Sequence, residues 1–329
     1  MADRTESTTR APVSNPVGLL RYRPWRGEFQ GPLSASWAIA RVSLGQIFRR
    51  RLFWALYAWS LLIFAFYFFG QYLQVFIETQ LTEDSVRLGS GVTAMTVKPG
   101  DLMKRLSDVL KLNGSADTFG NFIWTEGYIV MIILAMAGSV LVGNDFHHGS
   151  LPFYLSKPIS RWHYILGKGM AVSVFVHLMT TIPAIGLFVQ YSLIVPDTWG
   201  YIVDNFRLLL GILGYGLILS TSLSLLLVTT ATWLRQTVPM IMIWTTLFVF
   251  TRELARWLVD IQRYPEEWRL IDLWNNLYLL GQWCLGVSLT AIRPQPQPAY
   301  WQPALVMASV AGLCLLYLHR RIQAVEVVR

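Results

Sequence analysis

Six continuous apolar runs leave this sequence few folds to choose from. A helix of about 20 residues crosses a hydrocarbon layer about 30 Å thick. Only helices and closed barrels satisfy their own backbone hydrogen bonds in that layer. The runs are unbroken rather than alternating, so they read as helices and not as barrel strands. They fall at about Phe53–Ile77, Phe122–Val142, Tyr164–Val195, Leu208–Trp233, from Val238 onward, and Pro303–Leu318. Pro183 lies within the third and predicts a kink there. The fifth weakens after Phe250, where Arg252, Glu253 and Arg256 appear. Only 14% of the 329 residues are charged, against roughly 25% in soluble domains. The expected fold class is an all-α polytopic membrane protein with six transmembrane helices.

Orientation follows from the basic residues that flank the runs. Arg49, Arg50 and Arg51 precede the first run, Lys157, Arg161 and Lys168 lead into the third, Arg235 follows the fourth, and Arg320 and Arg321 follow the sixth. All fall on one side if both termini are cytoplasmic, which predicts a multi-pass cell (inner) membrane protein with the loop after the first run outside. Trp54, Trp124, Trp162, Trp199, Trp233 and Trp301 stand near run ends, where interfacial tryptophans belong. This flanking pattern also accounts for the net charge of +8, and no nucleic-acid signature accompanies it. Cys284 and Cys314 have no metal-ligand or redox spacing, and no metal site is expected.

Residues 1–33 are rich in Ser, Thr, Arg and Pro and are expected to form a flexible cytoplasmic segment. Residues 34–329 then make one six-helix transmembrane domain. Within it, 34–51 is expected to be an interfacial helix, with Trp37, Leu44, Ile47 and Phe48 on a face that also holds Arg41. The 78–121 loop carries an amphipathic helix over Pro99–Leu112, with Leu102, Met103, Leu106, Val109 and Leu110 on one face. Asp272–Thr290 is apolar but interrupted by Asn275, Asn276 and Gln282, so a re-entrant or interfacial helix is expected before the last span. Two spans carry small residues four apart: Ala135, Ser139 and Gly143, then Gly216, Ser220 and Ser224. Such ladders serve packing within a bundle or a seam between two chains.

The segment GSLPFYLSKPISRWHYILGK, Gly149–Lys168, is the most deliberate connection in the chain. Ser150 can cap a short helix whose first turn tolerates Pro152. Leu151, Tyr154 and Leu155 then share a face. Pro158 forces Lys157 out of the helical region. Ser160 caps the next helix, which runs through Arg161 into the third span. The product is a short helix, an elbow and a long helix. Its aromatic and apolar anchors beside Lys157 and Arg161 suit a protein partner and equally a helix lying on lipid headgroups.

The stretch from Asp145 through Gly149-Ser150-Leu151 and Lys157-Pro158-Ile159-Ser160-Arg161 to Gly167-Lys168 resembles the signature loop of the type 2 ABC transporter permeases. Asp145 stands where that family usually has glutamate, and Ser150 where it usually has threonine. The resemblance implies that the 144–163 region is a cytoplasmic coupling loop, with Asp145, Gly149, Ser150, Leu151, Tyr154, Leu155, Lys157, Pro158, Ser160, Arg161 and Lys168 as its ATPase-coupling residues. It implies a permease subunit of an ATP-driven transporter, an exporter, forming its pathway as a homo- or heterodimer. The chain itself would be non-catalytic and without cofactor. ATP and Mg would sit on a separate cytoplasmic ABC ATPase, in keeping with Gly167-Lys168 lacking the upstream glycine of a P-loop.

Two other functions compete. A membrane scaffold or assembly protein would dock a non-ATPase partner on the same loop. A membrane-embedded enzyme would use His147 and His148, although the companion acidic ligands are missing apart from Asp145. His163 belongs with that histidine group. His177 lies inside the third span, as a pathway group or as a neutral hydrogen-bonding link to another helix. Glu126 with Arg252, Glu253 and Arg256 can pair to seal the outer mouth of a pathway or reach the headgroup zone.

Overall fold

A computed structural model describes residues 31–80, 86–88, 95–97, 111–138, 141, 143, 145, 160–234 and 236–322. The chain divides into two units, Met1–Gly31 and Pro32–Arg329, and the described helices belong to the second. They are α1 (Pro32–Phe48), α2 (Arg51–Gln80), α3 (Ala116–Gly138), α4 (Arg161–Met179), α5 (Thr181–Ile194) and α6 (Thr198–Asp204). After these come α7 (Phe206–Leu234), α8 (Thr237–Thr245), α9 (Thr251–Arg256), α10 (Leu273–Cys284) and α11 (Trp301–Arg321). Six helical stretches are long and apolar enough to cross a membrane, and they coincide with the six runs read from the sequence. A short antiparallel ribbon pairs Val86–Leu88 with Met95–Val97, Val86 opposite Val97. Its β-branched residues favour extended backbone, and it is an addition to the all-α expectation.

The spans differ in how much they bury. Two thirds of the second span is buried (67%) and 61% of the fourth, against 17% of the first and 22% of the fifth and sixth. Spans two and four are therefore the centre of the bundle. Phe119, Phe122, Ile123 and Leu134 from α3 meet Ile212, Leu219, Leu223 and Leu227 from α7 in one core. The first span turns Trp59, Leu62, Phe66 and Phe69 outward.

The third span breaks where Pro183 predicts. Its two halves, α4 and α5, are separated at Thr180, whose backbone leaves regular helix (φ −114°, ψ −64°). A proline ring clashes with the carbonyl four residues back, here Met179, so the helix opens just after it. The fifth span runs further than the sequence suggests. It continues to Ile261 through two π-helical segments, Thr246–Phe250 and Trp257–Ile261, on either side of α9. Arg252 does not stop it, because the Trp124 and Tyr128 rings shelter that side chain.

The α1 helix exists as expected, but its buried face is rotated. Ser36, Ile39, Ala40, Ser43, Leu44 and Ile47 are buried, while Trp37 and Arg41 are exposed. Ser36, Ala40 and Ser43 share that face with Ile39, Leu44 and Ile47, and the small residues let α1 lie directly against α4. A Cβ placed on Gly167 would stand 2.8 Å from the Ser36 carbonyl oxygen, so only glycine permits this approach. The Ser36 hydroxyl donates to the His163 carbonyl at 3.2 Å.

The fourth-span ladder packs inside the chain. Gly216 lies against Thr181 of α5, and Ser220 reaches His177 of α4. The stretch after Asp272 forms α10, 12 residues long and too short to cross hydrocarbon unaided. Asp272 caps it, accepting from the backbone N–H groups of Trp274 (2.9 Å) and Asn275 (3.1 Å). The helix packs onto α7 and α11. The expected amphipathic helix at Pro99–Leu112 lies outside the described residues except for Lys111 and Leu112.

Candidate functional site

The two ends of the signature segment meet in a buried ion pair. Lys168 Nζ stands 2.8 Å from Asp145 Oδ2, with the lysine side chain 2% exposed and the aspartate 12%. Lys168 also donates to the Leu141 carbonyl at 2.5 Å. The Tyr164 hydroxyl donates to the same Asp145 oxygen at 2.9 Å. Tyr164 and Lys168 sit four residues apart, so both project from one face of α4 toward the end of the second span. One cluster thus closes the segment that leaves the second span and enters the third. A buried charge is tolerated only when paired and hydrogen-bonded, and here each charge has both.

Ser160 begins α4 as the sequence predicts. Its hydroxyl accepts from the His163 backbone N–H, and His163 Nδ1 accepts in return from the Ser160 N–H at 3.1 Å. This is a capping box with histidine in the place usually held by glutamate or glutamine. His163 is therefore a capping residue, a role its grouping with His147 and His148 concealed. Arg161 reaches the His319 carbonyl at 3.4 Å, and the Trp162 ring lies 5.8 Å from the His319 ring. The start of α4 is held on three sides: by α1 at Ser36, by the second span at Asp145, and by the end of α11 at His319. Gly149, Ser150, Leu151, Tyr154, Leu155, Lys157 and Pro158 lie outside the described residues, as do His147 and His148.

The intramembrane candidates do not form one site. His177 Nδ1 is 2.8 Å from the Thr181 hydroxyl and Nε2 is 3.1 Å from the Ser220 hydroxyl. Both ring nitrogens are engaged, one along the third span and one across to the fourth. We expect His177→Leu to lower stability by about 1 kcal/mol, the scale of interhelical hydrogen bonds in membranes. An unchanged melting temperature would show that the ring does not fasten the two spans.

Glu126 is fully buried, with its carboxyl beside Ser60 and Tyr67 of the first span. It forms no pair with Arg252, Glu253 or Arg256, against one sequence expectation. The helical turn explains this: residues two apart point in nearly opposite directions, and Trp124 and Tyr128 are the ones that face Arg252. The Arg252 guanidinium lies 5.5 Å from both ring centres and donates to the Tyr128 hydroxyl. Glu253 and Arg256 approach to 3.8 Å at the surface, each more than half exposed, a pair worth little.

Among the described residues no group of three or more potential metal ligands gathers. Against this geometry, the sequence profile of the ABC-2 family transporter proteins matches residues 37–282, from α1 to within α10. The chain belongs to the ABC-2 transporter family. It is thus a multi-pass membrane subunit of an ABC transporter. A comparison with curated proteins returned no match. The ABC-2 match spans the Asp145–Lys168 cluster and five of the six candidate spans.

Proposed function

We propose that the chain is the permease subunit of an ATP-driven exporter, working as a dimer, with a separate ATPase docked on the 145–168 segment and both termini cytoplasmic. The observation that carries this reading is the Asp145–Lys168–Tyr164 cluster. It ties the docking segment to the ends of two spans at once, so a displacement of the segment is passed to the bundle as a rigid movement. The α1 and α11 contacts at Ser36 and His319 extend the same anchorage to the first and last elements. ATP and Mg belong to the partner in this reading, and the basic flanks face it.

Purification of the intact complex in mild detergent tests the assignment, with an ABC ATPase expected to accompany the chain. Leu155→Asp, at the apolar face read from the sequence, is then expected to cut substrate-stimulated ATPase and transport at least tenfold while the spans remain folded. That loss corresponds to about 1.4 kcal/mol of coupling or more. Full transport by this variant would remove the segment from the coupling role. Co-purification of a non-ATPase partner alone would favour the scaffold function.

A further inference from the structure

At the end of the bundle opposite Asp145, a cavity of about 470 Å³ opens between the second span, the fifth span and α10. Four arginines line it, Arg252, Arg256, Arg269 and Arg293, against two aspartates, Asp260 and Asp272. Both aspartates already have partners. Asp260 is held by Arg269 at 2.5 Å, and that arginine also donates to the Pro296 carbonyl at 2.6 Å. Asp272 is occupied by the first N–H groups of α10. Among the described residues Arg293 hydrogen-bonds to carbonyls of its own loop, at Thr290 and Ile292. Arg252 is the central cation. Among the described residues no carboxylate lies within ion-pairing distance of it, and its guanidinium stands over the Trp124 and Tyr128 rings.

We propose that this cavity binds an organic anion: a phosphate, sulfonate or carboxylate head carried on an apolar or aromatic body. The guanidinium groups supply charge and forked N–H donors for the head. Trp124, Trp274 and Tyr278 supply an apolar wall for the body. The volume suits a small organic molecule or one lipid headgroup with its first carbons. Binding here is a property of this chain alone and stands whether or not the 145–168 segment couples to an ATPase.

Asp272 adds a pH dependence with a definite sign. Burial raises its carboxyl to about 6. The groups facing it are the Trp274 and Asn275 N–H donors, Arg252 from the fifth span, Arg269 from the turn before α10, and Tyr128 from the second span. As pH falls through about 6 the carboxyl takes up a proton, the cavity loses a negative charge, and anion binding tightens. The same shift means that the folded chain binds more protons than the unfolded one between 3.8 and about 6. Stability from this group therefore falls as pH rises through that window.

The test uses the full chain in lipid nanodiscs, with benzenesulfonate as the soluble probe because its charge is constant over the range. Saturable change in tryptophan fluorescence is expected, weakened about tenfold in Arg252→Gln and in Arg293→Gln, and unchanged in Arg320→Gln at the other end. Arg293 is exposed, so its variant folds even if Arg252→Gln does not. A second arm compares phosphatidylcholine discs with discs containing phosphatidylglycerol and measures retained lipid by native mass spectrometry. Selective retention of phosphatidylglycerol, lost in the two arginine variants, identifies a lipid headgroup as the source. Probe binding without retention identifies a soluble anion. Absence of both, or equal binding by the wild type and both arginine variants, overturns the proposal.

Discussion

Replacing Lys168 by Met is expected to destabilise the folded chain by about 3–5 kcal/mol, the usual result of leaving one partner of a buried ion pair behind. Among the described residues Asp145 would keep the Tyr164 hydroxyl alone, with its carboxylate largely shielded from water. Thermal unfolding in detergent measures the loss. The double variant Asp145→Leu with Lys168→Met is informative because it removes both charges together. It should recover most of the stability, since an apolar pair of similar volume does as well as a buried ion pair or better. If the cluster matters for coupling, the recovered double variant still transports poorly, because the hydrogen bonds to the Leu141 carbonyl and Tyr164 are gone. A double variant that recovers stability and transport together would reduce the cluster to a structural fastening.

Gly211→Val should be nearly as damaging, for a different reason. A Cβ on Gly211 would stand 2.6 Å from the Cys284 carbonyl oxygen and 3.0 Å from the Leu285 Cα. These are backbone atoms at the end of α10 and cannot swing aside like a side chain. The fourth span and α10 would have to separate, at a cost of about 1–3 kcal/mol or more. Gly214→Val is the natural comparison. Its nearest neighbour is the Cys284 side chain at 3.2 Å, which can rotate. Equal melting temperatures for the two variants would show that α10 is not seated as tightly as the geometry implies.

The spans were readable because length and continuous apolarity are enough to specify a membrane helix, and Pro183 placed the break in the third. Ser160 was readable as a cap from its place before an apolar run. The rotated face of α1 was not, because close helix contact rewards Ser36, Ala40 and Ser43 for being small, whereas a hydropathy pattern rewards Trp37 and Phe48 for being large. The extent of the fifth span was hidden for a related reason. Arg252 reads as a terminator until Trp124 and Tyr128, more than a hundred residues earlier, are brought onto its faces. The pairing of Asp145 with Lys168 was only half visible. Both residues belonged to the recognisable segment, but nothing in their order says that they touch. Asp260 and Arg269 gave no local signal, since their contacts depend on a loop folding back, whereas Asp272, just ahead of an apolar helix, carries the local signal of a cap.

The two π-helical segments have a bearing on how the fifth span reads its neighbours. Each admits about one more residue per turn than the regular coil, and so takes up an extra residue while leaving the helix beyond it at nearly the same angle. Excising a single residue from Thr246–Phe250 would let that turn tighten to regular helix and leave Arg252 close to its two rings. Excising one from a stretch of regular α-helix would instead swing whatever follows by about 100°. One-residue length changes are therefore best absorbed at these two wide turns.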